Sequence, residues 1–478
     1  MIEIKTLEKL YPHYRKQIQA AFQAGQSHVF QWWDEISQQE RDHLLEQITS
    51  IHFSFVHKLF RDSQRKATHA GQKTLLPPRI IAIPKNYEER EAEQKARRLG
   101  EDAIRNGHVA VLTVAGGDGT RLGVSAPKGT LPITPITGKS IFQLYAENIR
   151  ALMQRYRTRL TWYIMTSETN NLATREFFQT NRFFGLEPEQ VFFFAQGMLP
   201  VVDFQGNLLM DSKSNILMSP NGHGGAILAL KEKGILDDMK RRGIRQIFYH
   251  QVDNVLIKIA DPVFLGYHVR DEAEMSLKIV KKRRPEEKVG IVGCIDGRLH
   301  IIEYSELGKE EMYETNADGD LKYNAGNTAI HAMNLDFLER VYHGEDSLPY
   351  HVAEKRVACL SEKGATVAPE KNNAIKFESF IFDVLKQAKR GVVMEVLREE
   401  EFSPIKNMEG ENSPATARQD MINRYGRWLR EAGVSIPVDP QGNVIGLIEI
   451  SQDFALDAEE LKSKVDKRMQ FQGTLMLK

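Results

Sequence analysis

Between Ala115 and Gly129 the chain reads AGGDGTRLGVSAPKG, in which bare glycines are interleaved with one arginine, Arg121, and one lysine, Lys128. Glycines leave backbone N–H groups open to an anion, an arginine grips two oxygens at once, and a lysine supplies a compact charge. The set suits a phosphate chain; the alternative is a glycine-rich connection bearing two solvent-facing cations. Two familiar phosphate motifs fail here. A dinucleotide fingerprint, G-x-G-x-x-G, would need a glycine where Leu122 follows Gly117 and Gly119. A Walker A motif ending at Gly138-Lys139-Ser140 would need its first glycine where Ile133 stands. That triplet reads instead as a turn entering a helix, with Ser140 near the N-cap.

The elements around the loop follow from hydropathy. VAVLTV, just before it, is continuously apolar, as a strand covered on both faces is. SIFQLYAENIRALMQRY then carries a helical stripe at Ile141, Leu144, Tyr145, Ile149, Leu152 and Met153. LTWYIMTS, VFFFAQG and IRQIFYHQVDN read as further strands, separated by the helices NLATREFFQT and GGAILALKEKGILDDMKRRG. This alternation predicts an open α/β sheet, which binds its ligands at the carboxyl ends of its strands. KVGIVGCIDGRLHIIEYSEL reads as a hairpin turning at Asp296-Gly297. His250 and His331 lie in apolar runs and read as core or strand-end residues rather than catalysts.

The first eighty or so residues are helical in pattern, punctuated at Pro77, Pro78 and Pro84. The charged segment YEEREAEQKARRLGEDAIRNG reads as a solvated helix leading to the first buried strand. The end of the chain reads as a small mixed, β-rich lobe around GNVIGLIEIS with a charged terminal helix. The expected division is an N-terminal helical region at 1–100, an α/β domain carrying the glycine loop at 101–390 and a C-terminal lobe at 391–478.

With 478 residues the chain exceeds one ordinary core, and 64 basic residues against 64 acidic ones argue against broad capture of nucleic acid. Cys294 and Cys359 are far apart and in no metal-ligand spacing, as reduced, buried thiols of a cytosolic protein are. No segment resembles a signal peptide or is long and apolar enough to span a bilayer. The expectation is a cytoplasmic protein, monomer or homo-oligomer, with small-molecule substrates and neither nucleic acid nor membrane as partner.

The motif GGDGTRLGVSAPKG resembles the signature of nucleotidyltransferases that make nucleotide sugars, specifically the eukaryotic-type UDP-N-acetylhexosamine pyrophosphorylases. The resemblance continues in the family's order through FFFAQGMLP, SPNGHGG, QVDNVLIKIADP, GCIDGRLHIIEYSEL, YNAGNTAIH and REEEFSPIKN, roughly residues 95 to 420. It implies a Rossmann-like, GT-A-like sheet and a reaction in which UTP and a sugar 1-phosphate give a UDP-sugar and pyrophosphate with Mg²⁺.

It also implies roles. Gly116 and Gly117 would contact uridine and phosphates, and Arg121, Lys128 and Lys406 would hold the phosphates as charge develops. Gln196 would read the uracil edge, and Gly222 would admit the base or ribose. Asp253 would ligate Mg²⁺. Gly290, Glu303 and Asn327 would grip the sugar and its N-acetyl group. Two positions depart from the family pattern. His223 stands where Asn is usual, in a GHG string that resembles the related UDP-glucose enzymes, and Gln251 replaces a small residue. The expected sugar is N-acetylglucosamine 1-phosphate. The rivals are a UDP-glucose or broad-specificity enzyme and, from another class, a non-catalytic uridine-nucleotide sensor. A glycosyltransferase would show Asp-x-Asp, which QVDNVL lacks.

Overall fold

A computed structural model describes residues 2–64, 74–117, 119–123, 126–343, 348–466 and 468–478. Two compact units form, each from three stretches of chain. The first comprises Met1–Lys73, Gln196–Gly225 and Leu348–Ile381; the second comprises Thr74–Ala195, Ala226–Ser347 and Phe382–Lys478.

The second unit is built on the expected α/β sheet. Its strand order is Ile80–Ile81, Val393–Glu395, Met275–Lys281, Ala325–Asn334, Gln246–Gln251, Val109–Val114, Thr161–Thr166 and Val191–Ala195. All neighbours along this path are parallel except those of Ala325–Asn334, which runs antiparallel to both of its partners. The hairpin Ile291–Ile295 with Arg298–Ile302 joins through Gly326 and turns at Asp296 and Gly297, whose φ angles are 51° and 75°. Both central residues therefore have positive φ, as a tight hairpin turn requires.

Local chemistry accounts for the helices. Ser140 caps Ile141–Tyr156 by accepting the Gln143 N–H at 3.1 Å, as the sequence predicts. The segment expected as one helix after Gly225 is two, Gly225–Glu232 and Ile235–Arg241, because Gly234 adopts φ 69° between them. The charged helix Tyr87–Arg105 is less solvated than its composition suggests: Ala96, Gly100, Ala103 and Ile104 are buried. A Cβ on Gly100 would come within 1.9 Å of the Pro262 carbonyl oxygen, and one on Gly266 within 1.6 Å of that of Ala96. Paired glycines thus let this helix and Pro262–Arg270 touch backbone to backbone.

The C-terminal segment adds the parallel pair Leu447–Ile450 and Thr474–Leu477, with the charged helix Ala458–Lys464 between them, so a strand follows the helix. Ile448, Ile450, Leu461 and Leu477 share a core cluster with Ile149 and Leu152. Buried Glu449 accepts hydrogen bonds from the backbone N–H groups of Ile136 and Thr137, both at 2.8 Å.

In the first unit, the helices Ile4–Leu10, Arg15–Gln23, Gln38–Ser50 and Phe53–Gln64 pack Leu7, Ile18, Leu44 and Ile48 into one cluster with Val202, Ile216, Ile375 and Phe377. Cys294 and Cys359 are free thiols, half-buried rather than buried. Among the described residues, no helix is long and apolar enough to cross a membrane.

Candidate functional site

In the second unit the predicted residues gather at the edge where the parallel strands end. The glycine loop leaves the sheet after Val114, whose carbonyl accepts the Val252 N–H at 3.0 Å, so the loop starts beside Asp253. Buried Asn170 anchors its base, donating to the Ala115 carbonyl at 3.2 Å and accepting the Ser167 N–H at 3.0 Å. Gly117 is exposed, and a Cβ there would meet nothing within 4 Å, which leaves its backbone approachable. Arg121 lies in the turn Gly119–Leu122, and its side chain is outside the described part of the structure.

One short segment joins three predicted residues. Ile405 donates its N–H to the Asp253 carbonyl at 2.9 Å, and its own carbonyl accepts the Lys128 ammonium at 3.3 Å. Lys406 follows, exposed, with its backbone N–H held by the Asn412 carbonyl at 2.7 Å. The turn at Asp253 is clamped from two further sides. Asn254 donates to the Glu401 carbonyl at 2.7 Å and accepts the Ser403 N–H at 3.0 Å. Tyr145 donates to the carbonyls of Val252 at 3.3 Å and Asn254 at 2.7 Å. Burial raises the Tyr145 phenol well above its ordinary pKa, and the Asp253 charge adds to the shift, so the hydroxyl stays a donor.

The half-buried Asp253 carboxylate makes no hydrogen bond or ion pair among the described residues. No group of three or more metal-ligating side chains occurs among them. A lone carboxylate fits Mg²⁺, which commonly takes one or two protein oxygens and fills its remaining positions with phosphate and water.

The sugar candidates form a second group. Asn327 donates its N–H to the Gly290 carbonyl at 2.8 Å, and a Cβ on Gly290 would approach the Glu303 Oε1 to 3.1 Å. Because Ala325–Asn334 runs antiparallel, its beginning lies at the edge where Gln246–Gln251 ends. A register break opposite Leu277 and Ile279, with Ala329 at φ 58°, bulges the strand just after Asn327. The Asn327 Oδ1 accepts the Ala329 N–H at 3.1 Å.

Gln196, Gly222 and His223 belong to the first unit. The pairing Met198↔Pro220, extended by the Asn221 N–H to the Gly197 carbonyl at 3.1 Å, brings Gln196 and Gly222 to one end of a two-stranded ribbon. Gln196 is only 6% exposed and makes no side-chain hydrogen bond among the described residues. The bareness of Gly222 is used by the chain itself: at φ 85°, a Cβ would lie 2.3 Å from the Ser379 carbonyl oxygen. The His223 Nδ1 accepts the Ile381 N–H at 3.2 Å, which leaves the proton of the neutral ring on Nε2. Its ring stacks on Phe380 at 5.3 Å, and Phe380 stacks on His351 at 4.5 Å.

His250 is a core residue as expected, bonded to the Thr113 hydroxyl at 2.8 Å and pushed down to about 4 by burial. Sequence reasoning missed Tyr145, Asn254 and Ile405, which touch the predicted residues, and Asn221, 3% exposed with an Oδ1 that has no partner among the described residues. Asn254, next to Asp253, Asn221, inside SPNGHGG, and Ile405, inside REEEFSPIKN, stood in motifs already singled out. A cavity of about 430 Å³ in the second unit is lined by Tyr145, Val255, Lys258, Asp261 and Glu401 among others, but by none of the predicted site residues.

Two outcomes follow from this geometry. Tyr145→Phe removes both hydroxyl bonds to the Asp253 turn, so we expect kcat to fall about tenfold with little change in KM, as steady-state kinetics reads it. Gly222→Ala forces a Cβ into the Ser379 backbone from a left-handed residue. It is expected to destabilise the protein by about 2–4 kcal/mol in a thermal unfolding experiment.

Residues 53–463 match the family described as UTP-glucose-1-phosphate uridylyltransferase. The chain is 38% identical to the human UDP-N-acetylhexosamine pyrophosphorylase-like protein 1, over 95% of each chain. It is 37% identical to the UDP-N-acetylglucosamine pyrophosphorylase of Saccharomyces cerevisiae, over 94% of this chain and 98% of that protein. Its fold matches the crystal structure of the uridine diphosphate N-acetylglucosamine pyrophosphorylase from Trypanosoma brucei in complex with inhibitor. The TM-score is 0.81 at 27% identity, covering 96% of this chain and 97% of that one.

Proposed function

Since the chain belongs to the UTP-glucose-1-phosphate uridylyltransferase family, we propose that it transfers a uridylyl group from UTP to N-acetylglucosamine 1-phosphate, releasing pyrophosphate. One observation carries the reading: a phosphate-type group, comprising the glycine loop, Lys128 and the Asp253 turn, shares a sheet edge with the sugar-type group Gly290, Glu303 and Asn327. The names of the human and yeast relatives support the choice of an N-acetylated sugar.

In the reaction, a phosphate oxygen of the sugar 1-phosphate attacks the α-phosphorus of UTP in line. The new O–P bond forms as the bond to the bridging oxygen breaks, and that oxygen leaves with pyrophosphate. The nucleophile arrives ionised, so no side chain need remove a proton; the protein's work is alignment and charge neutralisation. Lys128, with Arg121 and Lys406, meets the negative charge that gathers on the departing pyrophosphate. Gly116 and Gly117 offer backbone N–H groups to the nucleotide. Asp253 would hold Mg²⁺, which when bound neutralises phosphate charge that the protein's cations leave uncovered. Glu303 accepts from sugar hydroxyls, and Asn327 pairs with the acetamido group. Of the first unit's residues, we assign Gln196, with its donor and acceptor, to the uracil edge and His223 to the sugar, while Gly222 is closed by Ser379 on the side its Cβ would take. We place the protein in the cytoplasm, where its two free cysteines stay reduced.

A second reading, glucose 1-phosphate as acceptor, is favoured by His223 in its GHG string, which resembles that of the related UDP-glucose enzymes. Pyrophosphate release from UTP and Mg²⁺ with the 1-phosphates of GlcNAc, GalNAc, glucose and galactose decides between them. The fastest turnover is expected with GlcNAc 1-phosphate. A preference for glucose 1-phosphate would keep the chemistry and move the sugar. Saturable UTP binding without turnover on any of the four would make the protein a nucleotide sensor.

A further inference from the structure

Lys278 lies in the middle of the strand Met275–Lys281, between the apolar Leu277 and Ile279, and its side chain is 0% exposed. Its ammonium donates to the Asp261 Oδ2 at 2.7 Å and to the Glu401 Oε2, while Lys258 pairs with the other Asp261 oxygen at 3.2 Å. Burial pushes the Asp261 carboxyl up, but the two ammonium groups outweigh it and hold the group below its usual range. Replacing such a buried cluster with apolar side chains is often neutral or stabilising, so stability is a weak explanation for it.

Its connections suggest another. Glu401 begins the stretch that Asn254 clamps and that continues to Ile405, the link between Asp253 and Lys128. On the other side, the Lys278 carbonyl accepts the Thr328 hydroxyl at 2.8 Å, inside the bulge that follows Asn327. The same residue therefore touches the support of the phosphate group through its side chain and the support of the sugar group through its backbone. We infer that Lys278, with Glu401 and Thr328, is a positioning residue that sets the phosphate-binding segment and the sugar-binding bulge in register with each other. This inference rests on the function proposed above.

Removing only the ammonium would leave two buried carboxylates facing each other, and Lys278→Met alone can fail to fold. The test therefore uses Glu401→Gln, Thr328→Val and the charge-balanced pair Lys278→Met/Glu401→Gln, each assayed with UTP, GlcNAc 1-phosphate and a Mg²⁺ titration, beside thermal unfolding. Glu401→Gln is expected to lower kcat about tenfold and to raise the Mg²⁺ concentration for half-maximal rate, with KM for the sugar phosphate within about twofold. Thr328→Val is expected to do the opposite, raising that KM about fivefold with kcat within about twofold. The pair should reproduce the Glu401→Gln effects with KM for the sugar phosphate within about twofold, because the Lys278 main-chain carbonyl that Thr328 uses survives it; if the pair does not fold, the two single variants decide. Unchanged kinetics at a lowered Tm, or both singles shifting kcat and KM in parallel, would overturn the inference while leaving the function intact. A wild-type protein silent with every sugar 1-phosphate removes the function first, and the inference with it.

Discussion

Asp253→Ala lowers kcat by about 10³ while thermal unfolding stays within about 0.5 kcal/mol of the wild type. Both halves of this expectation follow from the geometry. The carboxylate makes no hydrogen bond or ion pair among the described residues, so its loss strands no partner. The residue's structural contribution is its main-chain carbonyl, which accepts the Ile405 N–H at 2.9 Å and survives the substitution. Asn254→Ala is the contrast: it frees buried groups at Glu401 and Ser403 and is expected to destabilise the fold by about 1–3 kcal/mol. Activity against Mg²⁺ concentration, with unfolding curves for both variants, separates the roles. An Asp253→Ala enzyme that keeps most of its turnover at saturating Mg²⁺ would take the metal away from this residue.

The sequence made some of this legible because the deciding forces are local. The apolar run VAVLTV, the Ser140 cap and the Asp296-Gly297 turn each depend on a few neighbouring residues, and each stands where expected. Of the residues named from a resemblance, Asn327 bonds the Gly290 carbonyl, and a Cβ on Gly290 would lie 3.1 Å from the Glu303 Oε1. What escaped depends on chain far away. Nothing within Ala325–Asn334 announces that it runs antiparallel between Gln246–Gln251 and Met275–Lys281, two strands that both precede it in the chain. The glycine at 222 looks like an opening for a ligand until Ser379, 157 positions later, fills the place of its Cβ. The charged helix Tyr87–Arg105 reads as solvated because three of its four buried residues are Ala96, Gly100 and Ala103, small side chains that carry little hydropathy signal yet permit backbone-to-backbone packing. The first unit draws on three separated stretches, a pairing that no window of sequence contains.

Lys128→Met is the other change expected to act strongly, and it acts on the leaving group. The Lys128 ammonium is half-buried and held only by the Ile405 carbonyl at 3.3 Å, with no carboxylate paired to it among the described residues. A neutral acceptor orients the cation without neutralising it, so its full charge remains for an anion. Negative charge on the β- and γ-phosphates grows as the bond to the α-phosphorus breaks, and a positive group there stabilises the transition state more than bound UTP. Methionine keeps the length and apolar character of the stem but not the charge. The expected result is a fall in kcat of about 10²–10³, with KM for the sugar 1-phosphate within about threefold. Run backwards, from UDP-sugar and pyrophosphate, the same variant should show a raised KM for pyrophosphate, because there the missing charge faces a substrate already fully anionic. Lys128→Arg should recover part of the rate, since it restores the charge in a bulkier, planar form. If Lys128→Met instead weakened UTP and the sugar phosphate equally and left kcat alone, the lysine would be a general anion attractor, and the leaving-group charge would fall to Arg121 and Lys406.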